Sequence, residues 1–185
     1  MKLLPRTIAL AALFSFAATT LAASNNPFLP SGKVDVDNQV GEATKMMDPF
    51  EVPLPPYPKP ENLVEFNAGP ADAKRIYVDT TSISIGTDEV VRYVLVVKGT
   101  GGGSNVSYEG MRCWTWDRIT YAWGGNDGSW SRSRQSEMTR MPTSSTLRYY
   151  RALAEEVFCR KGEIAGAPAD MVAALKRGGN RLESR

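Results

Sequence analysis

The chain has 185 residues and contains no histidine. Ser-His-Asp triads, Cys-His pairs and the common histidine-bearing zinc sites are therefore excluded, and any catalysis would have to use carboxylates, tyrosine, lysine or a serine–lysine pair. The 22 Lys and Arg residues exceed the 20 Asp and Glu residues only through Lys2 and Arg6. We therefore expect no general attraction to nucleic acid or anionic lipid.

Residues 1–23 have the layout of a secretory signal peptide. The basic start is followed by the apolar run TIALAALFSFAATTLA and by Ala22 and Ala23, near which cleavage is predicted. The run is too short and too weakly flanked for a stable membrane span, although a retained single-helix anchor is the alternative. No cysteine precedes Cys113, so a lipoprotein anchor is not predicted. We expect a periplasmic protein with no transmembrane segment in the mature chain.

Residues 24–62 read as a leader without a sustained hydrophobic period. Its end, PFEVPLPPYPKPENL, is dense in proline and favours an extended backbone that cannot pair as a central strand. It could be a ligand for an aromatic groove on a partner, or a strap lying across its own domain. We favour the strap, because Val52, Leu54 and Tyr57 would otherwise remain in water.

Residues 63–162 predict a single α+β domain. Alternating or β-branched segments separated by turn residues indicate an antiparallel β-meander of five to six strands. In the next segment, TSSTLRYYRALAEEVFCRKG, the apolar residues follow a helical spacing. This spacing predicts one C-terminal helix packed on the sheet. Residues 163–185 predict a second short helix, docked weakly or not at all, and a flexible tail.

The chain has two cysteines, Cys113 and Cys159. In an exported protein this pair predicts one structural disulfide, and the C-x-x-C spacing of a redox-active pair is absent. The bridge would place the helix over the sheet face that holds Cys113.

The stretch NVSYEGMRCWTW raises the question of a binding surface. The alternation of apolar residues in this stretch shifts by one position at Gly110, which predicts a β-bulge there. With a tight turn at Asp117–Arg118, one face would carry Trp114, Trp116, Ile119, Tyr121 and Trp123, and the other Cys113, Thr115, Thr120 and Ala122. The candidate binding residues are therefore Arg112, Trp114, Trp116, Tyr121 and Trp123. This face is either open as a platform or covered by residues 48–62, and we favour cover because large exposed patches are uncommon.

A carboxylate-based glycan hydrolase is the catalytic alternative. Glu109 is its best acid candidate, and the second member would be Asp117, Asp127 or Glu137. Glu109 is more simply read as a partner of Arg92 or Arg112. No catalytic set, metal site or cofactor is predicted.

Several segments in order resemble the CNP1-like family of proteobacterial envelope proteins over roughly residues 48–160. They are PPYPKPENLVEF, RIYVDTTSISIG, VVRYVLVVK, NVSYEGMRC, YAWGGNDGSW and YYRALAEEVFC. The resemblance implies export, a compact single domain and the Cys113/Cys159 pair, and it supplies no catalytic residues. We expect a non-catalytic binding or scaffolding module for an envelope protein, glycan or lipid.

Overall fold

The computed structural model describes residues 45–68, 74–135 and 137–178. The predicted signal peptide, the first part of the leader and the end of the predicted tail lie outside the described residues.

An antiparallel sheet is the largest element of the structure, and its first six strands follow one another as neighbours. This order confirms the predicted meander. A seventh, short strand pairs with the start of the fifth. The strands are β1 (Leu63–Phe66), β2 (Arg75–Ile85), β3 (Val90–Lys98), β4 (Ser104–Arg112), β5 (Asp117–Gly124), β6 (Trp130–Arg132) and β7 (Thr139–Arg140).

The C-terminal helical segment covers one face of the sheet. A 3-10 turn at Ser145–Leu147 leads into α1 (Tyr149–Leu153), which widens into a π-helical turn at Ala154–Phe158. A small hairpin of β8 (Cys159–Arg160) and β9 (Glu163–Ile164) precedes α2 (Pro168–Lys176). The second helix is docked: Met171, Ala174 and Leu175 are buried in the same core as α1.

Apolar side chains form a core on each face of the sheet. On the helix side, residues such as Tyr93 and Met111 pack against Leu153 and Phe158, and the Tyr93 and Phe158 rings stack with centroids 4.6 Å apart. A smaller core on the other face contains Val52, Val94, Tyr108, Ile119, Tyr121 and Ala122. Burial on both faces explains why β3 is almost entirely apolar.

The proline-rich segment lies across the second face as a strap. Val52 is buried there, and Tyr57 Oη donates a hydrogen bond to the Gly125 carbonyl (2.8 Å). Trp130 Nε1 donates to the Pro55 carbonyl (2.9 Å), and Arg132 donates to the Val52 carbonyl (3.0 Å). Proline lacks a backbone donor, so the strap is held mainly by its carbonyls and by side-chain packing.

The predicted disulfide joins Cys113 to Cys159, with 5.5 Å between the Cα atoms. Cys159 is the first residue after the π-helical turn, and Cys113 directly follows β4. The bridge therefore fastens the end of the helical segment to the β4–β5 loop, on the side of the sheet predicted from the sequence.

Candidate functional site

The β4–β5 hairpin differs from the predicted one in its turn. Arg112 pairs with Asp117 and Gly110 with Ile119, so residues 113–116 form the loop. The predicted tight turn at Asp117–Arg118, which would have paired Trp116 with Ile119, is therefore wrong. Trp116 has a φ of 57°, a left-handed backbone that lets the longer loop reverse the chain.

The bulge of this hairpin lies in β5 and not at Gly110. The register passes from Tyr108–Ala122 to Glu109–Thr120, which leaves Tyr121 as the extra residue. A Cβ on Gly110 would lie 2.6 Å from Tyr121 Oη and 2.8 Å from Val90 Cγ1. Glycine is needed at position 110 because the Tyr121 ring crosses β4 closely there. The alternation of side chains along β4 is unbroken, so Glu109 faces the helix side.

The predicted five-residue platform does not form as one surface, because the bulge reverses the faces beyond Tyr121. Tyr121 is buried under the strap beside Tyr108, whereas Trp123 lies on the helix side and is 48% exposed. Trp116 packs against the helix-side core. Trp114, 64% exposed, stands in the loop with the Arg112 guanidinium carbon 5.5 Å from its ring. A binding role for each residue remains a prediction.

A buried carboxylate, Glu109, organises the helix side of the sheet. Its exposed fraction is 0%. Oε1 accepts hydrogen bonds from Ser107 Oγ (2.7 Å) and Tyr150 Oη (3.0 Å), and Oε2 accepts one from Tyr93 Oη (3.4 Å). Three hydroxyls therefore donate to a carboxylate that no water reaches. We call Glu109, Tyr93, Ser107, Arg118 and Tyr150 the Glu109 cluster.

Arg118 supplies the positive charge of the cluster. Its Nη2 lies 3.3 Å from Glu109 Oε1 and also donates to Thr120 Oγ1 (2.9 Å) and Tyr150 Oη (3.0 Å). Its guanidinium carbon is 4.2 Å from the centroid of the Tyr150 ring, within cation–π range. The predicted pairing of Glu109 with Arg92 or Arg112 is therefore wrong.

Arg92 and Arg112, which were predicted as partners of Glu109, have other neighbours. Arg92 binds Asp88 through both terminal nitrogens (3.0 and 2.6 Å) on the strap side of the sheet. Residue 92 belongs to the opposite face because strand alternation turns it away from Tyr93. Arg112 lies at the end of β4, beside Trp114.

Burial shifts the pKa values of the cluster. Desolvation, followed by the nearby Glu109 charge, raises the pKa of Tyr93 and of Tyr150 well above the usual tyrosine range. Desolvation acts to lower the pKa of Arg118, but the Glu109 carboxylate together with the Tyr150 and Tyr93 phenols outweighs it, and the pKa is raised. Both phenols therefore stay protonated and remain donors to the carboxylate.

Alkaline titration should show these shifted tyrosines. Burial also raises the pKa of Tyr108, and that of Tyr121 to about 12. We expect a smaller rise in tyrosinate absorbance above pH ~10 for the native protein than for the protein in denaturant, where all 7 tyrosines titrate. Because unfolded tyrosines lose protons at lower pH than these four, stability should fall as pH rises above ~10. Equal absorbance curves in the two states would contradict this.

A cleft of about 640 Å³ opens above the cluster. Arg118 and Tyr150 lie in its lining together with Thr120, and Trp123 lines it near the end of β5. This volume is within the range of about 300–1,000 Å³ typical of small-molecule sites. The other lining residues are Lys74, Leu95, Val97, Gly99, Gly101, Gly103, Ser104, Asn105, Ser107, Gln135, Leu147 and Tyr149.

The second carboxylate that a glycosidase needs is not brought to this cleft. Asp117 lies 3.8 Å from Arg140 at the start of β5, and Asp127 accepts hydrogen bonds from Ser129 within the β5–β6 turn. Glu137 is exposed. Among the cleft-lining residues that the structure describes, none is Asp or Glu. The cluster can position donors and an aromatic ring for a ligand.

Sequence reasoning identified Trp123 and Glu109 but missed the other residues of the site. Arg118 and Tyr150 come from different elements and meet Glu109 only through the β4–β5 register and the docking of α1. One signal was available. Glu109 lies two residues before Met111 on a strand whose Met111 and Cys113 face the core, so alternation predicts that Glu109 is buried.

The described part of the chain contains neither a membrane-spanning helix nor a cluster of metal-binding side chains. No helix there is long and apolar enough to cross a membrane. Over the same residues, no group of three or more histidine, cysteine, aspartate or glutamate side chains could hold a metal ion.

These features define a small disulfide-linked domain in which an antiparallel meander carries helices on one face and a strap on the other. Residues 42–176 match the family model described as CNP1-like family. The chain belongs to this family. None of the curated proteins and none of the solved structures compared with the chain gave a match.

Proposed function

We propose that this protein is exported to the periplasm and acts there as a non-catalytic binding module, with its ligand in the cleft above the Glu109 cluster. Residues 1–23 support export by their basic, apolar and small-residue parts. The Cys113–Cys159 disulfide is consistent with an oxidising compartment, since such bonds are rare in the cytosol.

The observation that carries the binding proposal is a cleft with a fixed polar floor and an accessible aromatic ring. Glu109 is fully buried and holds Tyr150 and Arg118 in place. Side chains already fixed in this way lose little entropy when a ligand arrives. Trp123 keeps about half of its surface in water, so a ligand can gain contact area by covering it.

The same geometry favours binding over the hydrolase alternative. A glycosidase acid must reach the glycosidic oxygen, and a second carboxylate must act on the other side of the sugar ring. Glu109 lies beneath the cleft with its oxygens bonded to neighbouring side chains. The cleft-lining residues within the described ranges contain no other acid.

Photo-crosslinking in living cells tests the proposal. p-Benzoylphenylalanine at Asn105, which is exposed and lines the cleft, should capture a periplasmic component on irradiation. The same group at Asn126, exposed in the β5–β6 turn outside the cleft, is the matched control and should capture much less. No adduct at position 105, or equal capture at both positions, would refute a ligand in the cleft.

Export has its own test. Osmotic shock of cells expressing the full chain should release the protein with periplasmic markers, shortened at Ala22 or Ala23. Retention with cytoplasmic markers at full length would show that the localisation is wrong. That result would leave the cleft test to be repeated in the correct compartment.

A further inference from the structure

We infer that the ligand of the cleft is a saccharide, bound by stacking of a sugar ring on Trp123 and by hydrogen bonds to the uncharged polar groups around it. The inference rests on the proposed binding function and adds the chemical class of the ligand.

Trp123 is placed to act as a stacking surface. It is 48% exposed and lies directly opposite Ser107 on β4 and Ser131 on β6. Neither serine is large enough to cover an indole, so the ring stays accessible although two strands flank it. The face of an aromatic ring has a negative electrostatic potential, which attracts the positively polarised C–H groups on the flat side of a sugar.

The polar groups beside Trp123 are mostly neutral. The lining includes the hydroxyls of Ser104, Ser107 and Thr120 and the amides of Asn105 and Gln135. Hydroxyls and amides both donate and accept hydrogen bonds, as the hydroxyl groups of a sugar do. Gln135 is held in position, since its Oε1 accepts from the Thr120 N–H (3.2 Å) and its Nε2 donates to the Glu137 carbonyl (2.9 Å).

The charged groups of the cleft already have partners. Arg118 is paired with Glu109 at 3.3 Å, and Lys74 Nζ donates to the Thr146 carbonyl (3.3 Å). Because Glu109 balances the guanidinium charge, Arg118 adds little positive potential for a phosphate or sulfate group, and Lys74 is the cation that remains in the described lining. A ligand that is held by hydroxyls suits this lining better than a strongly charged one.

The β3–β4 loop provides a wall without side chains. Gly101 and Gly103 line the cleft, and a Cβ on either would meet no atom within 4 Å. The exposed backbone of this wall can donate and accept hydrogen bonds, and glycine lets a ligand approach it closely. A lipid chain would gain nothing from such a wall, because an acyl chain cannot satisfy backbone polar groups.

Calorimetric titration of the purified, oxidised mature protein tests the inference. The probes are the neutral oligosaccharides chitotetraose and cellotetraose, with tetragalacturonate as the strongly charged arm and phosphatidylglycerol vesicles as the lipid arm. At least one neutral oligosaccharide should bind more tightly than tetragalacturonate, and Trp123→Ala should weaken its binding by about tenfold or more, equivalent to ~1.4 kcal/mol. Trp123→Phe should keep part of the affinity, because a smaller aromatic face remains.

Phe50→Ala is the matched control. It removes an aromatic side chain of similar exposure, 50%, that lies in the strap segment and not in the lining of the cleft, and it should leave the affinity unchanged. Circular dichroism of both variants shows whether the fold is intact. Equal weakening by both alanine variants would point to a general effect and overturn the assignment to Trp123.

The outcomes separate this inference from the proposed function. Binding of vesicles and of no oligosaccharide, or capture of a protein at Asn105 with no oligosaccharide bound, would overturn the saccharide and leave the binding cleft in place. Absence of any adduct at Asn105 together with no binding of any probe would overturn both. Oligosaccharide binding that Trp123→Ala does not weaken would place the sugar elsewhere and overturn the inference.

Discussion

Replacing Glu109 by glutamine should lower the free energy of unfolding by about 3 kcal/mol, measured from urea denaturation curves. Glutamine has nearly the same size, so packing is preserved. The variant leaves the Arg118 charge without its carboxylate, and the Arg118 side chain is only 15% exposed. Removal of one partner from a buried ion pair typically costs about 3–5 kcal/mol, and the partial exposure of Arg118 favours the lower end of this range.

The chain offers a matched control for this substitution. Glu65 pairs with Arg75 at 2.6 Å, and both side chains are largely exposed. Glu65→Gln makes the same chemical change in water and should cost between about 0 and 1 kcal/mol. The comparison therefore isolates the effect of burial from the effect of losing a carboxylate.

The double variant Glu109→Gln with Arg118→Met tests whether the two residues act as a pair. Once the carboxylate is gone, removal of the uncompensated guanidinium relieves part of the cost, so the double variant should lose less than the sum of the single losses. Strict additivity, or a Glu109→Gln loss no larger than that of Glu65→Gln, would show that the cluster contributes no buried electrostatic stabilisation.

Local sequence patterns were sufficient for the meander. Each of β2 to β5 carries its own alternation or β-branched run, and turn residues separate them, so no distant contact is needed to recognise them. The pairing of Cys113 with Cys159 could be predicted because the chain has two cysteines and is expected to be exported to an oxidising compartment. The helical segment was predicted as one helix, whereas α1 starts only at Tyr149 and widens into a π-helical turn.

The faces of β5 could not be predicted in the same way. A one-residue change of register moves every later side chain to the opposite face, and here the position of the bulge depends on the fit of the Tyr121 ring against Gly110 of the neighbouring strand. Gly110 was correctly seen as unusual, but its effect is on the strand beside it. Trp123 was consequently assigned to the wrong face of the sheet.

Prediction of the candidate site would have required knowledge of contacts between residues that are far apart in sequence. Tyr150 and Glu109 are 41 positions apart in sequence and meet through a 3.0 Å hydrogen bond. Arg118 reaches Glu109 only because the β4–β5 loop is longer than predicted, which sets the register of the two strands and places Arg118 opposite Met111, beside Glu109. Loop length and helix docking are properties of the folded chain, so sequence reasoning found an important carboxylate and gave it the wrong partner.

Loss of the disulfide should destabilise the protein by about 4 kcal/mol. The bridged cysteines are separated by 46 positions, and the chain-entropy model gives about this value for a loop of such length. Both cysteines are also buried, so Cys113→Ala with Cys159→Ala removes packed atoms as well as the covalent bond. Urea midpoints of the wild type and the double variant, compared at equal slope, measure the loss.

Reduction of the wild type separates the covalent term from the packing term, because the sulfur atoms remain in place. Oxidised protein should show no titratable thiol in denaturant, and reduced protein should show two, one for each cysteine of the chain. The bridge fastens the end of the π-helical turn, while the Tyr150–Glu109 hydrogen bond fastens the start of α1. Amides of residues 154–158 should therefore exchange faster after reduction, and those around Tyr150 should change less. Equal urea midpoints for oxidised and reduced protein would contradict a stabilising bridge.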